Sequence, residues 1–129
     1  MRKIMSSKDI FINDATSQEG VTEEEVLIQK NNLLIILETF SVAYKERFKQ
    51  KAKDPESLNT DDKLVDITNH DEITTSHMLI DIHEVLNIKM DYLPGDEYEA
   101  FPTIKDVLEY FLRRFDYRVN IENPHLLDE

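Results

Sequence analysis

The chain has 129 residues, of which 40% are hydrophobic, and it contains no cysteine. This size predicts one small domain whose core depends on hydrophobic packing, because neither disulfides nor cysteine-ligated metals can contribute. The formal net charge is −12, and residues 54–100 hold thirteen acidic side chains against Lys63 and Lys89. Such a surface repels phosphate groups, so we expect no nucleic-acid binding.

Two sequence features bear on membrane association. The longest purely aliphatic run, residues 33–37, is far shorter than the roughly 20 residues that a spanning helix needs. The first residues, Met1 to Lys3, are not followed by an apolar segment typical of a signal peptide. We therefore predict a cytoplasmic protein without membrane insertion.

Residues 1–21 mix Ser, Asn, Asp and Gly, and their main apolar patch is short, at residues 10–12. This composition predicts a flexible or loosely docked extension. A helical domain is then expected over residues 22–115, followed by a C-terminal tail over residues 116–129.

The first predicted helix covers about residues 23–50. Thr22 and Glu25 have the spacing of a capping box, in which each side chain accepts a hydrogen bond from a backbone amide. The apolar residues behind it are mostly three, four or seven apart, as one buried helix face requires; they are Val26, Leu33, Ile36, Leu37, Phe40, Ala43 and Phe48. Five basic residues near the expected helix end are interpreted as cations that its dipole favours: Lys45, Arg47, Lys49, Lys51 and Lys53.

Two further long helices are predicted in the second half of the chain. One begins at Asp71 and ends at Leu86, and it has an inward stripe at helical spacing formed by Met78, Leu79, Ile82, Val85 and Leu86. The other begins at Thr103, which with Asp106 has the spacing of a helix cap. Residues 64–67 form a small apolar cluster, and the acidic residues 96–99 are interpreted as part of a connection. The expected fold is all-α, a small bundle of three long helices plus a short one.

The order of apolar cluster, Asp-initiated helix, loop and Thr-capped last helix resembles the acyl carrier proteins. The resemblance runs residue by residue over about 58–112, and over 23–50 only as a helix in the right order. In that family an Asp-Ser-Leu triplet opens the second helix, and its serine is esterified with phosphopantetheine. The matching triplet here is Asp71-Glu72-Ile73, and a carboxylate cannot accept that group. The resemblance therefore implies an acyl-carrier-like domain that carries no cofactor and acts in protein–protein recognition.

Three hydroxyls, on Thr74, Thr75 and Ser76, lie near the degenerate attachment position Glu72. Alignment of the family serine on Ser76 would turn His83 inward and displace the apolar pair at residues 78–79, whereas alignment on Glu72 keeps the core positions apolar. Thr74 and Thr75 are expected to bond backbone groups in the first helical turn. Modification of one of the three hydroxyls remains the alternative that preserves acyl carriage.

A partner-binding surface is predicted on the outer side of the second long helix. Ile73 and Ile80 lie away from its core stripe, and the resemblance implies that residues at these positions contact partner enzymes. The set of predicted contact residues consists of Ile73, His77, Ile80, Asp81 and Glu84. Its carboxylates would steer a basic protein partner toward it, and the resemblance suggests an enzyme of acyl or secondary metabolism.

His77 and His83 are both assigned to this outer side, at positions where carriers often have Glu. Because imidazole titrates near neutrality, the pair suggests a pH response. His77, Asp81 and Glu84 could approach one ion, but the face lacks a second imidazole, so we predict no metal site. The chain has two glycines and no catalytic triad pattern, so we expect neither a nucleotide-binding loop nor enzymatic activity.

A second class of function remains open. Small acidic immunity proteins that inhibit bacterial nuclease toxins have a Tyr-Tyr-Pro element followed by an acidic loop and a last helix. Residues 92–94 are similar, although Asp91 replaces the first Tyr. This reading predicts contacts to a basic toxin or enzyme through a different face, formed by Tyr92, Asp96, Glu97 and Tyr98.

Overall fold

The computed structural model describes residues 23–124, and within this range the protein is helical with no strand. Five α-helices follow one another, here named α1 (Glu23–Phe48), α2 (Leu64–Ile67), α3 (Glu72–Leu86), α4 (Glu97–Ala100) and α5 (Ile104–Arg114). The predicted all-α bundle with three long helices is confirmed. The predicted extension over residues 1–21 and the cap at Thr22 lie outside the described residues.

The first helix, α1, forms the spine of the bundle and packs against α3 and α5. Six of its seven predicted apolar positions are buried, and the exception is Val26, which is partly exposed. A 3₁₀ turn, Lys49–Lys51, continues α1 beyond Phe48, close to the predicted end at residue 50. Apolar periodicity was therefore sufficient to place this helix.

One helical segment of the described chain, Glu23–Lys51, is long and apolar enough to cross a membrane by length and composition alone. Its 18-residue window has a mean hydropathy of 1.2, and 33% of that window is buried inside the bundle. A core helix of a globular protein has the same composition, so this property alone does not indicate a membrane span.

The long connection between α1 and α2 is anchored by Tyr44, whose side chain is fully buried. Its hydroxyl donates a hydrogen bond to the carbonyl oxygen of Ile67 at 2.7 Å and accepts one from the amide of Lys53 at 2.9 Å. The start of the connection and the end of α2 are thus tied to the same side chain. The connection also contains a 3₁₀ turn, Pro55–Ser57, and α2 then buries Leu64 and Ile67 as the predicted apolar cluster.

The predicted caps of α3 and α5 are present. The Asp71 side chain accepts a hydrogen bond from the Thr74 amide at 3.0 Å. Thr103 and Asp106 form a complete capping box, because the Thr103 hydroxyl accepts from the Asp106 amide while the Asp106 carboxylate accepts from the Thr103 amide. An isolated antiparallel bridge between Lys63 and Thr103 holds the starts of α2 and α5 together.

Two assignments of α3 side chains were wrong. Val85, predicted to face the core, is 61% exposed, and His83, predicted to face outward, is only 4% exposed. The buried stripe runs through Leu79, Ile82, His83 and Leu86, which follow the i, i+3, i+4, i+7 spacing of one helix face. By residue type, valine was expected in the core and histidine at the surface. The phase of the helix turns Val85 outward, and His83 can be buried because both of its ring nitrogens have hydrogen-bond partners.

The acidic segment between α3 and α5, predicted as a simple connection, is partly helical. It contains the single-turn helix α4, whose first residue, Glu97, lies in the interior with 2% of its surface exposed. Both carboxylate oxygens of Glu97 accept from the Gly95 amide, at 3.1 and 3.0 Å. Gly95 has a φ of +104°, a conformation that other residues rarely adopt, so it permits this turn.

The described residues beyond α5 pack on the bundle through paired amide side chains. A π-helical turn, Arg118–Glu122, places Asn120 against Asn87, and each side-chain amide donates to the other's backbone carbonyl, at 2.9 and 3.0 Å. The Asn32 side chain on α1 accepts a hydrogen bond from the Tyr117 amide at 3.1 Å. The packed unit therefore includes residues 116–122 of the segment predicted as a tail.

Candidate functional site

The outer side of α3 carries a continuous stripe of four side chains, Ile73, His77, Ile80 and Glu84, which we call the α3 outer face. Their spacing of i, i+4, i+7 and i+11 places them within one narrow strip of the helix surface. Ile73 is 74% exposed, His77 and Glu84 are exposed, and Ile80 is partly buried. The strip thus combines two aliphatic side chains with an acid and an imidazole on a rigid element.

Asp81, the fifth predicted contact residue, lies at the edge of this face and is bound to α1. The Arg47 guanidinium donates two hydrogen bonds to its carboxylate, from Nε at 2.6 Å and from Nη2 at 2.8 Å. These bonds hold the pKa of Asp81 below its usual value. Because its charge is paired within the chain, Asp81 contributes less to the outward negative field than the sequence suggested, and Glu84 is the remaining acid of the predicted set.

The degenerate attachment position Glu72 is the first residue of α3 and is exposed. Its neighbour Asp71 is fixed as the helix cap, and hydrogen bonds from the Thr74 amide and hydroxyl lower the pKa of its carboxyl. A side chain at position 72 therefore projects from the helix N-terminus into solvent. Glu72 is the residue that the resemblance aligns with the family's serine, and its side chain has no hydroxyl.

The neighbouring hydroxyls are engaged or located further along the helix. The Thr74 hydroxyl donates to the Asp71 carboxylate at 2.7 Å, so its acceptor is the capping side chain and not the predicted backbone group. The Thr75 hydroxyl donates to the Asp71 carbonyl at 2.7 Å, as predicted for a first-turn residue, and its side chain is fully buried. Ser76 is partly exposed in the second turn of α3. His83 faces inward, so its orientation cannot be used to reject Ser76 as the attachment position. The remaining argument against Ser76 is that α3 begins at Glu72, four residues earlier.

His83 belongs to a buried chain of hydrogen bonds beneath the α3 outer face. Nδ1 lies 2.7 Å from the Leu79 carbonyl oxygen and Nε2 lies 2.9 Å from the Tyr110 hydroxyl. Because a carbonyl can only accept, Nδ1 carries the proton, and Nε2 of the neutral ring accepts from Tyr110. The Tyr110 hydroxyl in turn accepts from the Asp91 amide at 3.1 Å. His83 is therefore a structural residue, and the predicted surface pair with His77 does not exist.

The face expected for an immunity-type inhibitor is largely occupied by intramolecular contacts. Glu97 is buried, and the Tyr98 hydroxyl lies 2.6 Å from the Thr68 hydroxyl. Tyr92 packs edge-on against Phe101, with ring centroids 5.1 Å apart. Of the four predicted contact residues, Asp96 alone is classed as exposed.

A metal-binding cluster is not formed by the described side chains: no group of three or more His, Asp or Glu residues in this range could hold an ion. His77 and Glu84 share the α3 outer face, while the Asp81 carboxylate is directed to Arg47. Sequence reasoning missed two features of α3: the pairing of Asp81 with Arg47 and the exposure of the aliphatic side chain of Val85.

A scan against protein-family models and searches of curated proteins and of solved structures found no match to this chain.

Proposed function

We propose that this protein is a carrier-protein-like acidic domain without a prosthetic group, which acts as a protein–protein interaction or regulatory module through the α3 outer face. The observation that carries the proposal is Ile73, an aliphatic side chain that is 74% exposed at the start of a well-packed helix. Ile80 and Glu84 extend the same strip. An exposed aliphatic centre beside an acid is suited to a partner with a basic rim.

The position of Glu72 supports a function other than acyl carriage. It is located where the resemblance expects the attachment serine, at the first position of α3. Esterification requires a nucleophilic hydroxyl, and Glu72 supplies a carboxylate. The proposed partner is a basic protein, such as an enzyme of acyl or secondary metabolism that recognises carrier-like surfaces.

The second candidate function is an acidic inhibitor or immunity-type protein that binds a basic toxin or enzyme. Leu93 and Asp96 are exposed and would form its contact face. The burial of Glu97 and the internal hydrogen bond of Tyr98 make this candidate less well supported. A third candidate, acyl carriage through a nearby hydroxyl, would need Ser76 or Thr74, because Thr75 is buried.

Matched double variants distinguish the first two candidates. In cells of the source organism, a photo-crosslinking residue at position 77 would capture the partner, which is then purified and its Kd measured by titration. We expect Ile73→Ala with Glu84→Lys to weaken binding about tenfold or more, as loss of a central contact does. Leu93→Ala with Asp96→Lys makes the same kinds of change on the other face and should leave Kd within about twofold.

The reversed pattern would contradict the proposal. If the variant at Leu93 and Asp96 abolished binding while the variant at Ile73 and Glu84 bound normally, the immunity-type face would be the contact surface. Charge reversal at Glu97 or Asp81 is avoided, because it would break the contacts to Gly95 or Arg47 and disturb the fold itself.

A further inference from the structure

The first half of α1 has aliphatic side chains on its outward side as well as on its core side. Leu27 and Leu34 are seven residues apart on one face and are 57% and 36% exposed. Ile28 and Ile35 lie beside them and are partly exposed. A cluster of exposed aliphatic side chains on one side of a helix often marks a surface that another segment covers. This half of α1 therefore lacks a covering element within the described range.

The uncovered side borders a groove between α1 and the segment that follows α5. The groove has a volume of about 490 Å³. Its lining combines the apolar side chains of Ile28, Leu34, Ile35 and Tyr117 with five polar or charged residues: Asn31, Asn32, Asp116, Arg118 and Glu122. Arg118 and Asp116 form an ion pair at 2.8 Å, so their charges largely compensate each other. A concave groove of this size fits a few side chains of a single segment better than a flat helix face.

We infer that residues 10–12, the sequence Ile-Phe-Ile of the N-terminal extension, occupy this groove. The segment lies outside the described residues and is joined to α1 by residues 13–22. Eleven residue steps span at most roughly 40 Å, whereas Leu34 lies only about 17 Å along α1 from Glu23. The tether therefore reaches the groove, and it holds the segment there at an effective concentration in the millimolar range.

Charge favours this occupant over a second copy of the chain. Residues 1–22 carry three basic side chains, Arg2, Lys3 and Lys8, and three acidic ones, Asp9, Asp14 and Glu19. Docking of this neutral segment adds no repulsion, whereas a second copy would bring a formal net charge of −12 against an equal charge. The groove is separate from the α3 outer face, so this inference does not depend on the proposed function.

Cysteine crosslinking in the full-length chain tests the inference, because the natural sequence has no cysteine. Asn13→Cys is combined with Asn31→Cys, an exposed position that borders the groove and leaves the apolar contacts in place. The matched control combines Asn13→Cys with Val42→Cys, which is 50% exposed on the same side of α1 but beyond the groove. We expect intramolecular disulfide formation to be about tenfold faster at position 31 than at position 42.

A third arm tests whether the apolar segment directs the docking. Position 31 lies nearer the start of α1 than position 42, so a free extension would also favour it to some extent. Adding Phe11→Asp should therefore lower the disulfide rate at position 31 several-fold without lowering the rate at position 42, while far-UV circular dichroism shows that the fold is retained; an unchanged rate at position 31 would overturn the inference. Equal rates in the unaltered segment would overturn the inference. Disulfide-linked dimers whose yield rises with protein concentration would overturn it in favour of a second copy in the groove.

Discussion

We expect Tyr44→Phe to lower the free energy of unfolding by about 2 kcal/mol, because it removes one oxygen that satisfies two backbone groups. The carbonyl of Ile67 and the amide of Lys53 would lose their hydrogen-bond partner at a site where the ring is fully buried. The measurement is urea unfolding followed by circular dichroism, with the midpoint and slope compared with those of the natural chain.

The same substitution at Tyr92 serves as the matched control. The Tyr92 hydroxyl is buried and has no hydrogen-bond partner among the described residues, and burial raises its pKa. Removing an unsatisfied buried hydroxyl relieves a desolvation cost, so Tyr92→Phe should leave stability unchanged or increase it. If Tyr92→Phe destabilised the protein as much as Tyr44→Phe, the conclusion that only the Tyr44 hydroxyl makes stabilising hydrogen bonds would be wrong.

We expect His83→Gln to reduce stability by about 1–3 kcal/mol near neutral pH, since it interrupts the buried chain from Leu79 to Tyr110. It should also reduce the dependence of stability on pH. Burial is the main cause that lowers the pKa of His83 below its ordinary value of 6.5, and the charge of Arg114 acts in the same direction. The rings of Tyr92 and Tyr110 are the other titratable groups that face it.

The sign of the pH effect follows from proton binding. Below pH 6.5 the unfolded chain protonates His83 while the folded chain resists, so the unfolded state binds more protons. The stabilising contribution of neutral His83 is therefore complete above its ordinary pKa and is lost as the pH falls toward the lowered folded-state value.

His77→Gln at the exposed site is the control and should retain the acid-induced loss of stability. The free energy of unfolding is measured at a series of pH values from about 7.5 to about 5. If it fell with decreasing pH as steeply in His83→Gln as in the natural chain, His83 would not be the source of the pH dependence.

Helix positions could be predicted from sequence because they depend on local patterns. The spacing of apolar residues placed α1, and the Thr103 and Asp106 pair placed the start of α5 by a cap whose partners are three residues apart. Such signals are complete within a few turns of chain.

The errors involve residues whose environment depends on distant segments. His83 is buried because Tyr110, 27 residues away, offers a hydrogen bond, and Tyr44 is buried because Ile67 and Lys53 do. Asn32 is satisfied by an amide 85 residues away, at Tyr117. Local periodicity contains no information about these partners, so polar residues on the core side of a helix were not assigned to the core.

The candidate site was anticipated in part for the same reason. Ile73, His77 and Glu84 are exposed as the helix phase predicted. Asp81 was counted as a free carboxylate because Arg47 lies 34 residues away in sequence, and its bidentate pairing depends on how α1 packs against α3. The acidic character of the surface therefore has to be read from ion pairs as well as from composition.

The most direct measurement is the intact mass of the protein after incubation with coenzyme A and a promiscuous phosphopantetheinyl transferase, with a true acyl carrier protein as positive control. We expect the natural chain to keep its mass, because Glu72 offers no hydroxyl at the start of α3. We expect Glu72→Ser to gain one phosphopantetheine group, since it restores an Asp-Ser-Ile triplet at the exposed helix start. An adduct on the natural chain would contradict the loss of attachment and make acyl carriage the leading function. A Glu72→Ser variant that stays unmodified while the control reacts would contradict the carrier-like assignment.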